Sequence, residues 1–216
     1  MAGFKTHLAG GIASGAGISL IGFFLRGLSL TQAGAIFVVG CVGGLLPDLD
    51  SDTGKPLAFL SQLISILIPS ILFSRVVQIG GNSPEFLICY FTISYLFINY
   101  VVCSIIKRIT IHRGMLHSVP FALICGGVGY LLFVSSGTQV AIMAGTAVFL
   151  GCFVHLILDE LSSFKLKFGF IPIPKKSRGS AFKFKAESLG ATLFIYLILA
   201  LVFIAAFVST LASSAF

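Results

Sequence analysis

Long apolar stretches almost free of charge, separated by short polar segments, run the length of the chain. They cover residues 8–25, 28–47, 57–73, 86–106, 119–134, 138–158 and 188–210. Each is close to the length of about 17 to 25 residues that crosses a bilayer as an α-helix. The first, second and sixth are rich in Gly and Ala, which lets helices approach closely in lipid. The fifth is short, and Pro120 and Gly126-Gly127-Val128-Gly129 weaken it. One segment breaks the helical pattern. Over 160–187, Phe164-Lys165-Leu166-Lys167-Phe168 and Phe182-Lys183-Phe184-Lys185 alternate apolar and basic residues with period two. That pattern predicts a hairpin or extended flap, aromatics toward lipid and lysines toward water or headgroups. Pro172 and Pro174 make its pairing imperfect. The expected fold is all-α: a polytopic helical membrane bundle of about seven transmembrane helices with one small, basic, hairpin-like loop.

Composition agrees. Of the 216 residues 57% are hydrophobic and only 10% charged, with a mean hydropathy of +1.07. A soluble domain carries roughly 25% charged residues, so this chain requires a bilayer as its second solvent. Its length suits a single membrane domain over 1–216, with no separate soluble domain. Lys5 before an apolar run resembles the start of a signal peptide. No convincing small-x-small cleavage site follows, and cleavage would discard His7, so an uncleaved first helix is expected. The five cysteines lie singly inside apolar stretches without C-x-x-C spacing and read as small packing residues.

Charge predicts orientation. With seven spans, the N-terminus and the loops after spans two, four and six share one side. That side holds Lys5, Lys55, Lys107, Arg108, Arg113, Lys165, Lys167, Lys175, Lys176, Arg178, Lys183 and Lys185, twelve of the fourteen Lys and Arg; only Arg26 and Arg75 lie opposite. Cytoplasmic loops carry such an excess. The N-terminus is therefore expected in the cytoplasm and the C-terminus outside, in a bacterial inner (plasma) membrane.

All four histidines and four of the seven acidic residues fall in four short clusters on that same side: Thr6-His7, Pro47-Asp48-Leu49-Asp50-Ser51-Asp52, His112-Arg113-Gly114-Met115-Leu116-His117-Ser118, and His155-Leu156-Ile157-Leu158-Asp159. His155 and Asp159, four apart, stack on one helix face and can reach one ion; the neighbouring Glu160 points elsewhere. Pro47 and the alternating carboxylates favour a turn presenting Asp48 and Asp50 to one side. Acid at a helix C-terminus opposes the macrodipole, a conflict a cation removes; a solvated acidic cap is the plainer alternative. His112 and His117 are not on one helical face, so a turn at Gly114 is implied. The alternative there is a basic membrane-edge loop.

Imidazole and carboxylate ligands without thiolates suit Zn²⁺ first, and Mn²⁺ or Fe²⁺. Six candidate ligands (His7, Asp48, Asp50, His117, His155 and Asp159) exceed the four of a structural zinc. Two ions bridged by a carboxylate would use them, in a site suited to in-line displacement at phosphorus. Arg113 offers a planar fork for phosphate oxygens; Lys55 and Ser118 join it as substrate-binding candidates, and Asp50 or His112 as the group that moves protons.

In this order among spans, Thr6-His7, Pro47-Asp48-x-Asp50, His112-Arg113-Gly114-x-x-His117-Ser118 and His155-x-x-x-Asp159 resemble the YdjM family over residues 1 to about 172. The resemblance implies a membrane-bound, metal-dependent hydrolase related to zinc-dependent phospholipase C. Leu116 departs from the family, where Thr usually precedes the second histidine, and removes one hydroxyl from the site. The expected activity is hydrolysis of a phosphoester of a lipid or lipid-linked substrate at the cytoplasmic face. Membrane lipids are the expected partners, and no nucleic acid. A metal-ion or proton transporter is the alternative, though carriers usually place their site near the midplane and here the span centres lack charge. A non-catalytic membrane regulator is the third reading.

Overall fold

A computed structural model of the chain describes residues 3–50, 54–102, 104–105, 116–162, 164–167, 171–174, 183–185 and 188–214, with the backbone alone at 50, 54–57, 164–167, 171–174, 213 and 214. In hydrocarbon a backbone must satisfy its own hydrogen bonds, and the apolar stretches accordingly form helices. These are α1 (Phe4–Arg26), α2 (Leu30–Gly43), α3 (Gly54–Gly80), α4 (Pro84–Leu96), α5 (Val119–Phe133), α6 (Thr138–Ser162) and α7 (Leu189–Ser214). A 3₁₀ turn, Leu46–Asp50, follows α2, and a π turn, Phe97–Val102, prolongs α4.

Six of these segments are long and apolar enough to cross a membrane. The seventh, α2, has 14 residues, about 21 Å at 1.5 Å per residue, where one helix over 28–47 was expected. It is short because its entry and exit are built for close packing. Ser29 and Gln32 form a capping box at its start. At its end, a Cβ on Gly43 would stand 2.6 Å from the Val148 carbonyl oxygen, and one on Gly44 2.5 Å from the Gly11 Cα. Pro47 then takes the chain out of the helix.

The chain divides into two compact units, residues 1–47 with 114–216, and residues 48–113. In the first, α1, α2 and α6 pack on one another, and α5 packs on both α6 and α7. The helix directions follow from the contacts. The Gly22 carbonyl accepts from Leu28 N–H near the α1–α2 turn, Gly15 meets Gly40 in mid-helix, and Gly11 meets Gly44 at the other end. Thus α2, though short, traverses the unit antiparallel to α1. The start of α1, the end of α2, the start of α5 and the end of α6 share one end. Gln139 Nε2 donates to the Arg26 carbonyl (2.8 Å) at the opposite end. Late in α5 and α7, Tyr130 and Thr210 hydroxyls lie 2.6 Å apart, so α7 runs parallel to α5 and finishes opposite the start of α1.

The second unit is a hairpin of α3 and α4. Polar links between its helices include Asn99 Nδ2 donating to Ser65 Oγ (2.7 Å) and Tyr90 OH donating to the Pro69 carbonyl (2.8 Å). Such links join helices where lipid supplies no hydrophobic driving force. After α6, strands β1 (Phe164–Lys167) and β2 (Ile171–Pro174) pair antiparallel, with Lys165 opposite Ile173 and Lys167 opposite Ile171.

Candidate metal centre

Three histidines and one aspartate from α1, the start of α5 and the end of α6 meet at the shared end of the first unit. His7, in the second turn of α1, is 1% exposed, His155 1%, Asp159 5% and His117 7%. A carboxylate this deeply buried is costly unless it is paired or faces a cation. Histidine nitrogens face both of its oxygens. Asp159 Oδ1 lies 3.2 Å from His7 Nε2; Oδ2 lies 3.5 Å from His117 Nε2 and 3.7 Å from His155 Nε2. The His7 and His155 rings lie side by side, with centroids 3.5 Å apart and planes inclined at 31°.

Helix periodicity explains the pair on α6: His155 and Asp159 sit one turn apart on one face, and α6 continues to Ser162, one turn past the stretch expected to end at 158. His117 is set by the residue after it. Ser118 caps α5, its hydroxyl accepting from Phe121 N–H at 3.3 Å, and its backbone pairs with Lys183. His7 reaches Asp159 where Gly10 lets α1 approach α6: a Cβ there would stand 2.7 Å from Leu158 Cδ1 and 2.9 Å from Val154 Cγ1.

The protonation pattern of His155 follows from one hydrogen bond. Its Nδ1 lies 2.8 Å from the Gly44 carbonyl oxygen, which only accepts, so Nδ1 carries the proton. In the neutral imidazole the lone pair is then on Nε2, which lies 3.7 Å from Asp159 Oδ2. Metal-binding histidines are oriented by such a bond from the second ring nitrogen to a backbone carbonyl. The carbonyl comes from the last turn of α2, and α6 ends nearby, so the negative ends of two helix dipoles join a carboxylate here. The positive starts of α1 and α5 share that end and offset the two, so the buried carboxylate supplies the net negative charge. The arrangement favours a cation.

The donor set fits one. His117, His155 and Asp159 form a buried group whose ligand atoms all lie within 4.8 Å of one another. Two donors at 2.0–2.1 Å from a tetrahedral zinc stand about 3.3 Å apart, close to the 3.2, 3.5 and 3.7 Å found between nitrogen and carboxylate oxygen. Oδ1 faces His7 and Oδ2 faces the other two histidines, so all four residues could hold a divalent cation.

The remaining expected site residues are described in part or lie outside the described residues. Asp48 is half-buried on the 3₁₀ turn Leu46–Asp50, where the second unit begins. Asp50 closes that turn and Lys55 lies in the first turn of α3, both with backbone alone described. Asp52, His112 and Arg113 lie outside the described residues. Ser118, expected to contact substrate, is 5% exposed and has its hydroxyl on the α5 cap. Gly44 escaped the sequence reading as anything but a packing residue. The signal was Gly43-Gly44 just before Pro47-Asp48, a close-packed helix end beside a carboxylate turn.

The family model described as YdjM inner membrane protein matches residues 1–215. This chain belongs to that family. No curated protein and no solved structure matches it. As a YdjM family member it is an inner membrane protein, and the buried His/Asp group at one end of its helices could hold a metal ion.

Proposed function

We propose that this YdjM family protein is a metal-dependent hydrolase that cleaves a phosphoester of a lipid or lipid-linked substrate at the cytoplasmic face of the inner membrane. The observation that carries the reading is the Gly44 carbonyl bond to His155 Nδ1, which leaves a basic Nε2 beside a carboxylate shared with two more histidines.

His117, His155, Asp159 and His7 would hold the ion, with Asp48 and Asp50 as further ligands. A bound divalent ion supplies Lewis acidity toward a phosphoryl oxygen and makes water acidic enough to react near neutral pH. The chain's own groups do the rest. Arg113 and Lys55 hold and orient phosphate oxygens, Asp50 or His112 accepts the proton lost by the attacking water, and the apolar helix ends restrict bulk water. The positive-inside excess of twelve basic residues against two supports a cytoplasmic site beside anionic headgroups. It also supports a cytoplasmic N-terminus and an external C-terminus. Zinc suits the nitrogen–oxygen donor set, with manganese or iron as substitutes.

The test uses purified protein in mixed phospholipid micelles, with metal content and phosphoester hydrolysis measured before and after chelation. Stoichiometric metal and hydrolysis that chelation abolishes and metal restores are expected. Undiminished hydrolysis by metal-free protein would overturn the mechanism. Metal or proton flux in proteoliposomes without hydrolysis of any phosphoester would establish transport instead.

A further inference from the structure

The basic segment after α6 returns to the site it leaves. Asp159 lies three residues before the end of α6, β1 begins at Phe164, and the chain comes back at Lys183. There Lys183 forms a parallel bridge with Ser118, and its carbonyl accepts from Val119 N–H at 3.2 Å. The next residue is tied to α7: the Phe184 carbonyl accepts from Tyr196 OH at 3.1 Å. Lys183 is thus held through its own backbone and through the carbonyl of the next residue, unlike a lysine on a solvated loop, and it is half-buried. Among the described residues no carboxylate pairs with it.

Its position is close to the ligands. Bridged backbones lie about 4.8 Å apart, and Ser118 is one residue, about 3.8 Å between Cα atoms, from His117. A four-carbon stem with three donors can cover that range. The start of α5, capped by Ser118, adds the positive end of a 15-residue helix beside the same lysine. Lys185, two residues on, is exposed.

We infer that Lys183 is a substrate-binding residue of this site, its ammonium holding the anionic phosphate group of a substrate beside His117 and Asp159. The inference rests on the hydrolase reading above. A half-buried lysine whose backbone is bridged to Ser118, without a carboxylate partner among the described residues and near a cation-favouring centre, matches a phosphate that would meet the metal with one oxygen and the protein with the others. Charge-assisted bonds of this kind orient an oxyanion as well as bind it.

The test uses full-length protein with Lys183→Gln, Lys183→Met and Lys183→Arg, and with Lys185→Gln as the control in the same segment. Hydrolysis of dioleoyl phosphatidylglycerol in mixed micelles and calorimetric binding of inorganic phosphate are measured beside metal content. Removing the charge is expected to raise KM about tenfold, equivalent to about 1.4 kcal/mol, with kcat less affected and metal retained. Lys183→Arg should recover most of the loss, and Lys185→Gln should match wild type. A KM effect without a phosphate-binding effect identifies the lipid headgroup as the ligand. Weakened phosphate binding alone identifies free phosphate. Unchanged KM and unchanged phosphate affinity in both neutral variants would overturn the inference while leaving the hydrolase reading intact. Weaker phosphate binding in a protein that hydrolyses no phosphoester would remove the hydrolase reading and leave an anion site at Lys183.

Discussion

Replacing Gly44 with alanine tests how the centre is assembled. A Cβ there would stand 2.5 Å from the Gly11 Cα, 2.9 Å from the Gly11 nitrogen and 3.2 Å from the His7 carbonyl oxygen, all backbone. Carbon atoms pack at about 3.5–4.0 Å, so roughly 1 Å must open between α1 and α2. The end of α2 has no room to retreat toward α6: a Cβ on Gly43 would already meet Val148 backbone at 2.6 Å, and one on Gly151 would meet Gly44 nitrogen at 2.7 Å. The first turns of α1 must move instead, carrying His7 away from Asp159. The 3.2 Å contact then lengthens to about 4 Å, beyond hydrogen-bond range. Overpacking of this kind costs about 1–3 kcal/mol, and disturbing the groups that orient ligands typically costs about 10- to 100-fold in metal affinity. Thermal unfolding in detergent and metal content after dialysis against a graded chelator series measure both. The control is Gly34→Ala in the same helix, where a Cβ meets nothing within 4 Å; its stability should be unchanged or higher by about 1 kcal/mol. If Gly44→Ala holds metal and heat as well as Gly34→Ala does, the argument that close helix approach builds the centre is wrong.

Further outcomes follow from the same geometry. His155→Ala and Asp159→Ala should lose metal and turnover together, whereas Arg113→Lys should keep its metal and lose about a hundredfold in rate, roughly 2.7 kcal/mol; metal analysis beside single-turnover rates separates the two classes. The Tyr130–Thr210 link of 2.6 Å should give a coupling of about 0.6 kcal/mol, at most about 1.7, in a Tyr130→Phe/Thr210→Val double-mutant cycle followed by unfolding in mixed micelles. A reporter active only outside the cytoplasm should work when fused after α7, and one active only inside should work when fused before α1. The reverse result would invert the proposed orientation.

Much of the site was legible because lipid is an unforgiving solvent. A span has few places for a charge, so His7, His117, His155 and Asp159 stand out against apolar neighbours, and the 3.6-residue period alone puts His155 and Asp159 on one face. The period-two alternation at 164–168 matches strand β1, but its partner is Ile171–Pro174 rather than the second alternating stretch at 182–185, where Lys183 forms an isolated bridge to Ser118. Other features left weaker traces. The shortness of α2 depends on Gly43 and Gly44 meeting Val148 and Gly11, contacts that a hydropathy profile does not contain. Ser118 looked like a substrate contact from its place after His117, yet helix α5 needed an N-cap there.

The sequence by itself determined the solvent, the helical class and the chemical type of the ligands, because each depends on residue composition and local period. Only the tertiary structure decided which carbonyl fixes the His155 tautomer, which carboxylate oxygen faces which histidine, and where Lys183 returns. Those pairings join residues far apart in the chain, Gly44 with His155 across 111 positions and His7 with Asp159 across 152. Their geometry arises from helices packing through glycine, where a displacement of about 1 Å makes or breaks a hydrogen bond.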